Sequence, residues 1–139
     1  MKKLLLFLWQ LPQNIIGLIL VAITGAEKTT VTYSFGLSFS GYVARRFNKA
    51  WSAVSLGYFK IYKTKNHLEW RECRMHEEGH GRQSAMLGWL YLPVIGLPSL
   101  FGNIYDRTAH RKWEAAERKK WYYAQPWEAW ADRLGGVTR

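Results

Sequence analysis

The spacing of apolar positions changes along this chain, and each change predicts a different element. Residues 4–23 form a nearly continuous apolar run broken at Gln10, Pro12, Gln13 and Asn14, which reads as two helical pieces hinged near Pro12. Between residues 31 and 43 the spacing drops to two, with Val31, Tyr33, Phe35, Leu37, Phe39 and Val43 separated by small or polar residues. That is the period of a half-buried strand, with Gly36 or Gly41 available for a bend. Residues 54–62 predict a further strand after a basic connection at 45–51, so the middle of the chain is expected to form an antiparallel meander of two or three strands.

Beyond residue 65 the pattern lengthens to a helical period. Asn66 stands three residues before Glu69, a capping-box start for a helix that would run through residues 71–87 and stop at Gly88. Residues 89–101 are apolar but hold Pro93 and Pro98, which predicts a loop-rich segment. A charged helix is expected over residues 107–124. Pro126 then suits the first position of a short final helix ended by Gly135 and Gly136. No repeat or linker divides the chain, and 139 residues suit one α+β domain.

Composition narrows the chemistry. A hydrophobic share of 48% with 8 Trp excludes wholesale disorder. The single cysteine, Cys73, excludes an intrachain disulfide and a cysteine-based zinc knuckle, so any metal must be held by His, Asp or Glu. The net charge of +10, gathered around residues 45–49, 60–65 and 107–120, suits an anionic membrane surface or simply a solvated face. Neither an RNA-binding sheet motif nor a zinc finger accompanies it, which argues against nucleic acid.

The apolar N-terminal segment, residues 1–25, opens like a signal peptide: Lys2 and Lys3 precede the apolar run, and Thr24-Gly25-Ala26 is a passable cleavage site. Its cluster of amides is costly for a spanning helix. The second apolar run, residues 87–101, is 15 residues long, too short for an ordinary crossing. Both runs fit core elements or a membrane interface, leaving membrane-associated and cytoplasmic locations open.

The chemistry-bearing pattern is His76-Glu77-Glu78-Gly79-His80, an H-E-x-x-H pentapeptide. Residues four apart share one helix face, so both imidazoles can reach one zinc ion. Glu77, beside the first of them, is placed to take a proton from an activated water and return it. Gly79 and Gly81 weaken the helix by about 1 kcal/mol each, which suggests that something passes close by. Without a third ligand and an orienting partner the pentapeptide alone does not make a catalytic site.

Both candidates stand near the end of the sequence, where Glu128 and Asp132 lie one helical turn apart. Here the chain resembles the gluzincins, the thermolysin-like zinc metallopeptidases. That resemblance implies His76, His80 and Glu128 as zinc ligands, Glu77 as general base, and Asp132 as the support for His76. The chain is more closely similar to small bacterial proteins of predicted peptidase type, through residues 76–84 (HEEGHGRQS), 87–100 (LGWLYLPVIGLPSL) and 130–137 (WADRLGGV). Residues 11–14 (LPQN) and 55–57 (SLG) extend the likeness. It implies a minimal zincin-like fold, a peptide or protein substrate, and a bacterium or its mobile elements as source. Two departures stand out: Gln125-Pro126-Trp127 replaces an expected Tyr-Thr before Glu128, and Glu78 replaces an aromatic residue.

Other residues stay open at this level. Asp106 competes with Asp132, while Gln83 and Ser84, a turn past His80, suit either the site or packing. His110, Tyr91, Tyr105, Tyr122 and Tyr123 are all candidates to assist an oxyanion. His67, near a helix start, is expected to be exposed. The strand at 54–62 offers an edge to an extended peptide. Two alternatives to a peptidase are a zincin scaffold that binds without turnover and a basic membrane-surface protein in which the pentapeptide is incidental.

Overall fold

The structure is a computed structural model and describes residues 1–34, 36–47, 49 and 51–139. Phe35, read above as part of the strand alternation, lies outside the described residues, as do Asn48 and Ala50.

The chain opens with α1 (Lys2–Trp9) and α2 (Leu11–Thr24), bent by 83° where they meet at Gln10. Four strands follow: β1 (Glu27–Thr32), β2 (Ser38–Val43), β3 (Ala53–Leu56) and β4 (Phe59–Tyr62). The run at 31–43 is therefore not one bent strand. Tyr33 N donates to Leu37 O at 2.8 Å and Gly36, at φ +86°, closes the turn, so β1 and β2 form a hairpin. Residues on both sides of this turn keep the two-residue alternation, which is why the period alone conceals it.

Residues 54–62 likewise divide into β3 and β4, with left-handed Gly57 in the turn between them. The predicted antiparallel meander is corrected to a mixed sheet of order β1-β2-β4-β3. β4 pairs antiparallel with β3 but parallel with β2, through Tyr42 opposite Ile61 and Val43 opposite Tyr62. β4 takes the central place because Phe59, Ile61 and Tyr62 are all buried, and β3 becomes the edge.

The helix after the sheet starts earlier than its capping box implies and comes in two parts. Thr64, not Asn66, caps α3 (Lys65–Glu69), and the chain breaks at Trp70 before α4 (Arg71–Leu87). Arg74 holds the break by donating back to the carbonyls of Leu68 and Glu69 at 3.1 and 3.2 Å. α4 stops at Gly88 as expected.

Residues 89–101 are helical rather than loop-rich. A 3₁₀ turn (Gly88–Leu90) and a π turn (Leu92–Gly96) lead into α5 (Leu97–Ala109). Pro93 and Pro98 fall at the starts of the last two segments, where the missing N–H has no intrahelical partner to lose. The charged stretch 107–124 is also divided. α5 ends where His110 stacks on Trp113 at 3.7 Å, and α6 (Ala115–Tyr123) begins after the turn. α7 (Pro126–Gly135) starts at Pro126 and is capped by Gly136 in the left-handed conformation.

The result is an α+β fold with a four-strand mixed sheet and helices carrying His76/His80 and Glu128. Its apolar core is small: Val31, Tyr62 and Leu68 under the sheet, and Leu56, Tyr91 and Ile95 between β3 and the turns after α4.

Candidate metal centre

α4 turns a polar face inward, burying His76, Glu77, His80, Gln83 and Ser84. It can do so because α7 lies against it at backbone distance. A Cβ on Gly79 would stand 1.9 Å from the Ala131 carbonyl oxygen, and one on Gly135 would stand 2.0 Å from the Met75 carbonyl oxygen. Each helix thus supplies a glycine where the other's backbone passes. The residue that weakens α4 as a helix is what admits α7.

That approach brings Glu128 and Asp132 onto the histidines. His76 Nε2 and His80 Nε2 lie 3.1 Å apart, and Glu128 Oε2 lies 3.1 Å from the first and 3.2 Å from the second. The three donor atoms form a nearly equilateral triangle, and the residues are all buried. Zinc bound at about 2.0–2.1 Å by tetrahedral ligands has ligand–ligand edges of about 3.3 Å, close to the triangle seen here. Two imidazole nitrogens and one carboxylate oxygen also suit a borderline divalent ion. The group could hold a metal ion.

The remaining polar atoms of these side chains are engaged elsewhere, so the three donors stay pointed at one place. Asp132 Oδ1 lies 2.7 Å from His76 Nδ1, and Gln83 Oε1 lies 2.7 Å from His80 Nδ1. With each Nδ1–H donating to its oxygen, both Nε2 lone pairs are free for a cation. Gln83 is fixed in turn by donating to the Trp127 carbonyl at 2.8 Å, and Arg139 donates to Asp132 Oδ2 at 2.7 Å. Glu128 Oε1 accepts from the hydroxyls of Ser99, at 2.5 Å, and Tyr122, at 2.9 Å.

Charge follows the same geometry. Burial by itself would lower the His76 pKa, but the hydrogen bonds it donates to Asp132 and Glu128 outweigh it and raise the value to about 9. Burial would likewise raise Glu128, yet its bonds to His76 and His80 hold it far below the ordinary carboxylate range. Glu77 goes the other way: burial pushes its pKa up, against the pull of His80 and His76. Glu77 is buried and its Oε2 has no hydrogen-bond partner among the described residues. Such an unpartnered carboxylate oxygen beside two imidazoles is costly for the fold.

A cleft of about 550 Å³ opens over the triad and Glu77. Residues 51–56 line it consecutively, so it meets the edge of β3 rather than one face of the sheet. Tyr91, Ser99, Tyr122 and Tyr123 close its other sides. A second cavity of about 740 Å³ lies under α1, lined in part by Tyr42, Tyr58 and Lys60, and includes none of the triad.

Of the residues singled out from sequence, His76, Glu77, His80, Glu128 and Asp132 are brought together. Asp106 is not, since it accepts from Arg118 Nη2 at 2.6 Å and lies 3.3 Å from His110 Nδ1. His67, expected to be exposed, is half-buried and pairs with Thr64 at the α3 cap. Among the oxyanion candidates, Tyr91 donates to Ser55 O at 3.0 Å and Tyr105 packs on His110 and Trp121, while the Tyr123 ring stands edge-on to His76. Sequence reasoning missed Ser99, Tyr122 as a partner of Glu128, and Arg139. Only Gln83, one turn beyond His80, carried a signal in its spacing.

Comparison with protein-family models, curated proteins and solved structures finds no match to this chain.

Proposed function

We infer that the chain is a zinc-dependent peptidase of zincin type. The observation that carries this reading is the convergence of His76, His80 and Glu128 within 3.2 Å of one another, next to a buried carboxylate with a free oxygen. Zinc held by those three would supply a Lewis acid and a water acidified to a pKa of about 7.

The chain's own residues do the rest. Asp132 and Gln83 hold the imidazoles in one tautomer and orientation, and Ser99 and Tyr122 keep Glu128 from rotating away. Glu77 Oε2, free of other partners and raised by burial, accepts the proton of the attacking water and later delivers it to the leaving amine. The edge of β3 offers backbone groups to an extended polypeptide, which sets the scissile bond over the triad. The Tyr91 hydroxyl already occupies the Ser55 carbonyl, so strand pairing uses the remaining groups of that edge.

The test is zinc content together with hydrolysis of an internally quenched peptide library by the wild-type chain and Glu77→Gln. One zinc per chain in both proteins, with turnover only in the wild type, is the expected result. Turnover that survives Glu77→Gln, or a chain that binds no zinc, overturns the reading.

A further inference from the structure

Three of the helices are inside-out. On α2 the buried positions are Gln13, Asn14, Gly17 and Thr24, while Ile15, Ile16, Leu18, Ile19 and Ile23 are exposed. α1 buries nothing, and every apolar side chain from Leu4 to Trp9 is open. On α5 the buried residue is Asp106, with Leu97, Phe101 and Ile104 outward; Trp89, Leu90 and Val94 continue that surface backwards.

The polar residues that interrupt the N-terminal apolar run are consumed by the protein. Gln13 Nε2 donates to Ser84 Oγ and to Gly88 O, both at 2.9 Å, Ser84 Oγ donates to Gln10 Oε1 at 2.6 Å, and Asn14 Oδ1 accepts from Tyr58 N at 2.7 Å. None of them faces outward, so none is presented to lipid, and the one polar atom among them left without a partner among the described residues, Gln13 Oε1, is buried in the protein. Two indoles join the apolar stretches side by side: Trp9 Nε1 donates to Ala85 O at 3.0 Å and Trp89 Nε1 to Leu8 O at 3.2 Å.

We propose that α1, α2 and residues 89–104 form one apolar face that embeds in a single leaflet of an anionic lipid bilayer. No single helix among the described residues is long and apolar enough to cross a membrane; only α1 and α2 together reach the composition of a span, and they are bent by 83°. α2, at 14 residues, measures about 21 Å against a hydrocarbon core of about 30 Å. The face therefore sits in the membrane without traversing it.

Charge selects lipid over a second copy of the chain. Lys2 and Lys3 are exposed at the start of α1. Arg45, which also pairs with Glu27, and Arg46 are exposed at the far end of α2, their backbone N–H groups donating to Thr24 O at 3.1 and 3.0 Å. Cations at both ends of the apolar hairpin match anionic headgroups, whereas a second copy would bring like charges together on chains that each carry +10. Half-exposed Trp9 and Trp89 add the indoles that favour a membrane interface. α5 lines the cleft with Ser99 and Asn103 while turning Leu97 and Phe101 outward, so insertion places the cleft at the headgroup layer.

The experiment is flotation of the full chain with phosphatidylcholine vesicles, with and without phosphatidylglycerol, using lipids brominated along the acyl chain. Expected are flotation that phosphatidylglycerol strengthens and high salt does not abolish, and tryptophan quenching by the bromines. The quenching should largely vanish in a Trp9→Phe, Trp89→Phe chain. Ile16→Asp with Phe101→Asp should reduce partitioning roughly tenfold or more while zinc content is unchanged. A chain that stays monomeric in the aqueous phase overturns the proposal. So does a lipid-free dimer that ignores vesicles, or flotation that high salt removes with no quenching. None of these readouts depends on peptide hydrolysis.

Discussion

The α4–α7 contact and the α1–α2 hairpin both turn polar side chains towards the protein, and they differ in what those side chains are. Around α1–α2 they are neutral amides and a hydroxyl, which pair along the α4 end of the hairpin and act as glue between helices. Between α4 and α7 they are imidazoles and carboxylates whose donors converge on one point. Neutral groups need only a partner each. Buried charges need partners and fixed geometry, and a set of this kind could hold a cation. The difference separates a region that holds helices together from one whose side chains could hold a metal ion.

Removing the least satisfied group of the charged region should have the largest consequence. Glu77→Gln is expected to lower peptide turnover by about 10²–10⁴-fold, read from initial rates, with zinc content unaltered. Next comes the backbone contact itself. Gly79→Ala forces the Ala131 carbonyl away and is expected to destabilise the chain by about 3 kcal/mol, seen as a fall in Tm, and to weaken zinc binding with it.

The protons of the charged region give a pH signature that the amide region lacks. In the metal-free chain His76 keeps its proton to about pH 9, whereas in the unfolded chain it loses it near 6.5. This stabilisation, of order 3 kcal/mol, is whole below pH 6.5 and is lost as pH rises through about 9. Glu128 contributes in the opposite sense: its stabilisation is present above about 4.5 and fades as acid protonates it. The Tm of chelator-treated protein should therefore fall from pH 6.5 towards 9, while zinc affinity rises over the same window because zinc competes with the His76 proton.

Smaller effects sharpen the contrast. Asp132→Asn should weaken zinc binding by about 10–100-fold in competition with a chelator, because Nδ1 of His76 loses its anionic partner. Gln13→Leu should cost about 1–2 kcal/mol by leaving Gly88 O and Ser84 short of a partner, with zinc affinity unchanged. A zinc defect in Gln13→Leu equal to that of Asp132→Asn would erase the distinction between the two regions.

Much of the site was legible before the fold was known, because its parts obey local rules. His76 and His80 share a face through helical spacing, as do Glu128 and Asp132, and Pro126 and Gly136 bound α7 by their own backbone preferences. The strand order was not legible. A two-residue period marks which face of a strand is buried but not its neighbour, so the parallel pairing of β2 with β4 left no trace. Pro93 and Pro98 misled for a different reason: they sit at helix starts, and a proline reads the same there as in a loop.

By itself the sequence determined the groups available for chemistry and their spacing within each helix, since both follow from side-chain identity and a fixed rise per residue. Only the tertiary structure decided that Gly79 and Gly135 would let two helices meet at backbone distance, so that donors 48 residues apart share one point. It also decided that Gln13 and Asn14 turn inward, which leaves the exposed face of residues 4–23 apolar. Close approach and facing direction depend on what packs opposite, and nothing local to either segment specifies that.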